Sequence, residues 1–204
     1  MVPIFSLPGL ALADAHVRQA PLKFSDELLG ETASADNPAF LQFLPCGTRY
    51  LFTRVAQATR EALSRRGGSK VLEAGCCGLL AYNYGELGDA REGARRLISA
   101  AEAAEISETP LIVDCSSCAA FMKSYEQLFL NEPAWRQRAR RFAARVLDAV
   151  EVFDAPALWP QGTATYHESC RACHGQGLKT PMKLMDSAPE FRPMAEVDSC
   201  CGGA

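Results

Sequence analysis

The sequence predicts an α/β fold made of two tandem, small cysteine-rich repeats with short parallel strands, the second repeat truncated. Three observations predict it. Short apolar runs alternate with segments of helical periodicity, the order that builds parallel sheets covered by helices. One offset of 124 residues carries Cys46, Cys76, Cys77 and Gly78 onto Cys170, Cys200, Cys201 and Gly202, and self-similarity of this kind marks a repeated unit. In the first copy, Cys46, the Cys76-Cys77 pair and Cys115 each follow a short apolar run and precede a helical pattern. Parallel strands would therefore bring them to one sheet edge, where ligands of open α/β sheets collect.

Residues 1–40 contain Pro3, Pro8 and Pro21 with little periodicity and are expected to be an irregular lead-in. The first repeat is expected over 41–155. Leu41 to Leu44 is a strand-like run ending at Cys46, and Thr48 to Arg65 has Leu51, Val55, Ala58 and Ala62 on one helical face, closed by Gly67-Gly68. Val71-Leu72 leads as a strand into Gly75-Cys76-Cys77-Gly78. Asp89 to Glu105 then carries Ala90, Ala94, Leu97 and Ala101 at helical spacing. Leu111 to Val113 is a buried-strand run ending at Cys115, followed by an amphipathic helix through Phe121, Met122, Tyr125, Leu128 and Phe129 that starts near Cys118. Asn131 and Pro133 suit the start of another helix, with Trp135, Ala139, Phe142, Val146 and Val150 in one stripe. The second repeat is expected over 160–204, with Ala164 to His167 as the strand before Cys170. The offset would place its Cys-x-x-Cys at positions 239 and 242, so the chain is expected to be a fragment of a longer two-repeat protein.

The 204 residues are 48% hydrophobic and 22% charged, enough to bury a core without disulfide staples. A net charge of −3 argues against a polyanion, and so against nucleic acid, as the main partner. No run is long and apolar enough to span a bilayer, and the Met1 to Ala15 segment has the wrong layout for a secretory signal. A reducing, cytoplasmic setting is the expectation, with peripheral membrane association only through a complex. The basic run Arg136, Arg138, Arg140, Arg141 and Arg145 is expected to be a solvated helix face, with docking of an acidic partner as the sharper alternative.

Nine cysteines in such a chain point to metal or redox chemistry rather than a disulfide framework. Five thiols including two adjacent ones suit a polynuclear cluster better than one ion. Neighbouring cysteines chelate a single tetrahedral Zn²⁺ awkwardly, whereas each can take a different iron of an iron–sulfur cluster. A thioredoxin-like role for Cys115-Ser116-Ser117-Cys118 and a structural zinc site are the competing readings. Cys173 has no counterpart in the first copy and is read as a structural cysteine; His16, His167 and His174 have no second histidine at ligand spacing.

The pattern Cys46…Cys76-Cys77-Gly78…Cys115-Ser-Ser-Cys118 resembles the cysteine-rich "CCG" domain. That domain occurs in tandem in the cysteine-rich component of heterodisulfide reductase, in the iron–sulfur subunit of glycolate oxidase and in lactate utilization protein A. Further residues carry the likeness to the last two: Leu79-Leu80-Ala81-Tyr82-Asn83-Tyr84-Gly85, Asn131 to Trp135, Tyr166 to Cys170, Pro181 to Leu184 and Cys200-Cys201-Gly202-Gly203. The resemblance covers about residues 41–204. It implies an oxidoreductase component, inactive alone, that passes electrons from an FAD-dependent 2-hydroxy-acid (lactate or glycolate) dehydrogenase through iron–sulfur clusters, with a ferredoxin-type subunit as a further partner. It implies that Cys46, Cys76, Cys77, Cys115 and Cys118 ligate one cluster, of the [4Fe-4S] kind. Cys170, Cys200 and Cys201 would belong to a second. The heterodisulfide-reductase members imply a different outcome, thiol and disulfide chemistry at a non-cubane cluster. The Cys-x2-Cys-x2-Cys-x3-Cys-Pro ferredoxin run of many glycolate oxidase iron–sulfur subunits is not in this sequence.

Overall fold

A computed structural model describes residues 24–29, 38–104, 108–154, 159, 161–197 and 199. Most of the lead-in, His16, Cys200 and Cys201 therefore lie outside the described residues.

The centre is a four-stranded, all-parallel sheet of β1 (Phe40–Phe43), β2 (Ser69–Leu72), β3 (Leu111–Val113) and β4 (Val146–Asp148), in the order β2-β1-β3-β4. The chain is α/β, as its alternation predicts. Pairing is in register, with Leu41 opposite Lys70 and Leu111, and Leu111 opposite Val146. Side chains alternate between two covered faces. Leu41, Phe43, Leu111 and Val113 face the main core, which contains Leu97 and Ile98 of the helix Leu87–Ala103. Ile112 faces the other side, against Leu63 and Ala149. Gln42 is buried on that side as well, donating to the Ala56 carbonyl at 3.2 Å and facing the Ser69 hydroxyl at 3.3 Å, so its amide is satisfied.

The helices are α1 (Ser25–Leu29), α2 (Cys46–Tyr50), α3 (Thr53–Ser64), α4 (Leu79–Asn83), α5 (Leu87–Ala103), α6 (Ser116–Lys123), α7 (Pro133–Arg145), α8 (Ala149–Val152), α9 (Cys170–Gln176) and α10 (Thr180–Met185), with a 3-10 turn at Tyr125–Phe129. The apolar stripe of α5 is the predicted one, with Ala90, Ala94, Leu97 and Ala101 buried and Gly93 and Ile98 added.

Four expectations are corrected. The helix over Thr48 to Arg65 is two helices: the Gly47 carbonyl accepts from both Leu51 N and Phe52 N, closing α2, and Phe52 is non-helical. α3 restarts rotated, so its buried face is Thr53, Ala56, Thr59 and Leu63, while Leu51 and Val55 are 39% and 43% exposed. The helix after β3 opens near Cys118 as predicted, at Ser116, but passes into the 3-10 turn after Lys123. Its predicted apolar residues are nonetheless buried. The stripe from Trp135 ends before Val146, because Val146-Leu147-Asp148 pairs with β3 as the fourth strand. Ala164 to His167 forms no extended strand; it makes one parallel bridge, Ala164 to Phe191.

The basic face of α7 is partly paired within the chain. Arg136 and Arg140 both pair with Glu126 at 2.7 Å, and Arg138 pairs with Glu102 while lying 3.8 Å over the Trp135 ring. Arg145 donates to the Thr109 carbonyl. These pairs fit a solvated helix face. Among the described residues, no helix is long and apolar enough to cross a membrane.

Candidate functional site

A parallel sheet in the order 2-1-3-4 reverses its winding between β1 and β3, and the loops leaving those two strands diverge to open a crevice. Cys46 leaves β1 and opens α2; Cys115 leaves β3 and caps α6, whose third residue is Cys118. The loop after the neighbouring β2 carries Cys76 and Cys77. The fold thus converges five cysteines, from 46 to 118, on one edge of the sheet.

Their sulfurs form one electrostatic network. Cys77 Sγ lies 3.2 Å from Cys118 Sγ, Cys76 is hydrogen-bonded to Cys77, and Cys115 to Cys118. Cys46 is close enough to Cys76 to disfavour its ionisation. Hydrogen bonds from Cys118 and then Cys76 pull the Cys77 thiol down to about 3, against the opposing effect of burial. The hydrogen bond from Cys118 likewise draws Cys115 down to about 7. The partners that retain their protons, Cys118 and Cys76, are pushed up, first by those same hydrogen bonds and then by burial. The shifts are reciprocal: the contacts that favour ionisation at Cys77 and Cys115 disfavour it at Cys118 and Cys76, and thiolates are the form that binds metal. Cys77 and Cys118 are 3% and 6% exposed, Cys115 is half-buried, and Cys46 and Cys76 are open to solvent.

The surrounding residues hold the loops. Cys76 Sγ accepts from the Gly78 amide at 3.4 Å. Gly78 has φ +86°, and a Cβ there would meet the Ala90 carbonyl oxygen of α5 at 3.2 Å, so glycine lets the loop settle against that helix. Arg96, also on α5, donates to the Ala74 carbonyl at 3.2 Å. Tyr125 is fully buried, stacked on Phe142 and edge-on to Phe121, and its hydroxyl donates to the Cys77 carbonyl at 2.6 Å. On the opposite side, Thr48 Oγ1 lies 3.1 Å from the Pro45 carbonyl and 3.0 Å from Asp114 Oδ1, its one proton bridging the Cys46 loop to the Cys115 loop. Burial raises the Asp114 carboxyl to about 6.

Tyr125, Thr48, Asp114 and Arg96 are positioning residues that sequence reasoning missed. Tyr125 is marked in the sequence only as a member of an apolar face, and two others carry a signal. Asp114 is an acid at the end of a fully apolar strand, and Thr48 stands two residues after a cysteine.

The predicted second set is separate. Cys170 is the first residue of α9, as Cys46 is of α2, and Cys173 follows one turn later; both are half-buried. α9 lies on α6 and β4, with Gln176 Nε2 donating to Asp148 Oδ2 at 3.0 Å and contacting the Ser116 carbonyl at 3.3 Å. His167 Nε2 is 2.8 Å from the Ser199 carbonyl, consistent with a structural histidine, and His174 is exposed.

Among the described residues, no group of three or more His, Cys, Asp or Glu is arranged to hold a single metal ion. The donor set of the five cysteines is all-sulfur and contains a vicinal pair. These features fit an iron–sulfur cluster.

Comparison with known proteins agrees with this chemistry. Residues 40–123 match the family described as Cysteine-rich domain, CCG. The chain is 34% identical over 172 residues to lactate utilization protein A of Bacillus licheniformis, covering 78% of this chain and 70% of that protein. The lactate utilization protein A of Geobacillus thermodenitrificans is 33% identical over the same coverage. That of Exiguobacterium sp. is 33% identical over 177 residues, covering 81% and 71%. No solved structure matches. By the match over most of both lengths, the chain belongs to the lactate utilization protein A family of cysteine-rich, CCG-domain proteins.

Proposed function

We propose that the chain is an iron–sulfur electron-transfer subunit of a lactate-oxidising complex, and that Cys46, Cys76, Cys77, Cys115 and Cys118 hold one cluster of the [4Fe-4S] kind. The convergence of these five thiols at the switch point of a parallel sheet carries the reading. When bound, the cluster supplies one-electron chemistry. The residues of the chain do the rest. Cys77 and Cys118 anchor from the buried side, Tyr125 and Gly78 fix the Cys76-Cys77 backbone, and the Thr48–Asp114 bridge keeps the Cys46 and Cys115 loops together.

Substrate oxidation belongs to an FAD-bearing dehydrogenase partner, and the chain alone has no activity on the hydroxy acid. A ferredoxin-type subunit is a further partner. The complex works in the cytoplasm, with any membrane association peripheral. Cys170, Cys200 and Cys201 belong to the second repeat and to a second cluster site. Two features of the second region support that repeat: a helix opening at Cys170, and a parallel bridge from Ala164 to Phe191 that echoes the pairing of β1 with β2. The exposure of Cys46 and Cys76 favours one alternative, in which thiols or disulfides react at the cluster directly.

The test is anaerobic mixing of the iron- and sulfide-reconstituted chain with reduced flavin mononucleotide, a soluble stand-in for the flavoprotein. The expected result is a visible band that bleaches on mixing and returns on reoxidation, absent in Cys76→Ser. A band that ignores reduced flavin but responds to a small disulfide would favour the alternative. A colourless chain holding zinc would overturn both.

A further inference from the structure

We propose that, in the metal-free chain, Cys77 and Cys118 close reversibly into a disulfide that shields the site from overoxidation and blocks metal loading until it is reduced. This does not rest on the identity of the metal. A chain that never held iron would form the same bond.

The geometry singles out this pair. The two sulfurs come from different loops, 41 residues apart, and already stand 3.2 Å from each other. A disulfide needs about 2.05 Å, so closure asks roughly 0.6 Å of each sulfur, within reach of small side-chain rotations. Both are buried at 3% and 6% exposure, beneath the exposed Cys76. Their residual exposure leaves a route only for a small oxidant, while a protein or bulky reagent meets Cys76 and Cys46 first.

With hydrogen peroxide as oxidant the chemistry balances. The Cys77 sulfur attacks one peroxide oxygen and the O–O bond breaks, leaving a sulfenic acid on Cys77; the displaced hydroxide combines with the proton that the Cys77 thiol gave up on ionising and leaves as water. The Cys118 sulfur then attacks the Cys77 sulfur and the S–O bond breaks. The released hydroxide leaves with the Cys118 proton as a second water. Two thiols and one peroxide give one disulfide and two waters, with two electrons passing from sulfur to oxygen. Because Cys118 is already in contact, the sulfenic acid condenses before a second peroxide can carry it to the irreversible sulfinic stage. The bond takes both buried sulfurs out of the ligand set and ties the β2 loop to α6.

The experiment uses the full chain, stripped of metal by chelator and reductant, desalted anaerobically and treated with one equivalent of hydrogen peroxide. Trypsin leaves Cys76 with Cys77 in the 71–91 peptide and Cys115 with Cys118 in the 97–123 peptide. Fragmentation of the cross-linked pair under non-reducing conditions therefore assigns the bond in the wild-type chain, whatever the variants do. The expected result is a dominant Cys77–Cys118 link. It should disappear in Cys77→Ser and Cys118→Ser and persist in the Cys76→Ser, Cys115→Ser double variant. Iron and sulfide uptake should be several-fold lower after peroxide and return with dithiothreitol. A dominant bond within Cys115–Cys118, a link through Cys76, or sulfinic acid at Cys77 without a cross-link would overturn the proposal.

Discussion

Two regions of this chain carry the same cysteine signal, one on a four-stranded sheet and one, among the described residues, on a single parallel bridge. Over 40–148, strands β1, β2 and β3 each deliver a cysteine loop to one sheet edge, and α5, Tyr125 and the Thr48–Asp114 bridge hold those loops in place. Over 161–199, Cys170 again opens a helix, but the described backbone offers a single parallel bridge instead of a sheet, and α9 leans on α6 and β4 of the first region. A cysteine pattern therefore nominates ligands. The strands and supporting side chains bring them within reach of one another.

The largest effect expected from that comparison is on metal content. Cys77→Ser removes a buried sulfur that contacts Cys118, and should cost the chain most of its iron and sulfide on reconstitution, whereas Cys173→Ser should leave the first site's iron unchanged. Equal losses in both variants, measured by metal and labile-sulfide analysis, would break the distinction.

Two glycines make the next contrast. Gly78 and Gly177 both have positive φ, but an added Cβ meets the Ala90 carbonyl oxygen at 3.2 Å at the first and open space at the second. A left-handed conformation costs a non-glycine residue about 1–2 kcal/mol, so Gly177→Ala should destabilise the metal-free chain by about that much. Gly78→Ala should cost more, because a backbone oxygen in α5 cannot step aside. Urea unfolding of the two variants gives the comparison directly; equal midpoints would refute it.

Tyr125→Phe is a smaller change. It keeps the stacked ring and deletes only the hydroxyl that donates to the buried Cys77 carbonyl, a loss of about 1–3 kcal/mol when an acceptor is left unsatisfied. The loop should also loosen, seen as faster alkylation of Cys77 in the metal-free chain. Unchanged alkylation would mean that Gly78 and Arg96 suffice.

The smallest effect lies at the surface carboxylate beside Tyr125. Arg140 and Arg136 hold the Glu126 carboxyl down to about 2 from an ordinary 4.5. Since the folded value is depressed, this ion pairing contributes in full above about 4.5 and is lost as pH falls toward 2. Glu126→Gln should lose that contribution at neutral pH and converge on the wild-type chain as pH falls toward 2, a small difference throughout, as expected for solvent-exposed pairs.

Much of this architecture was legible in residue order. Leu111 to Val113 is too short and too apolar for anything but a buried strand, and Ala90, Ala94, Leu97 and Ala101 mark the buried side of α5. The convergence of Cys46, Cys76, Cys77, Cys115 and Cys118 followed from placing each after a parallel strand. What stayed hidden depends on contacts distant in sequence. Leu51 and Val55 share a helical period with the true buried face of α3, and only the closure of α2 on Gly47 decides which stripe turns inward. Val146 continues a helical stripe on paper, yet pairing with Leu111 claims it for the sheet. The Tyr125 hydroxyl and the Asp114 carboxylate gain their roles from partners 48 and 66 residues away.

The central claim is that the five cysteines of the first region hold a cluster of iron and sulfide. It is tested most directly by iron, acid-labile sulfide and zinc analysis, with a visible spectrum, on the anaerobically purified chain beside Cys76→Ser and Cys170→Ser. A brown chain containing iron and sulfide, both lost in Cys76→Ser and both kept at the first site in Cys170→Ser, is the predicted result. Zinc without sulfide after attempted reconstitution, or iron indifferent to Cys76→Ser, would contradict it.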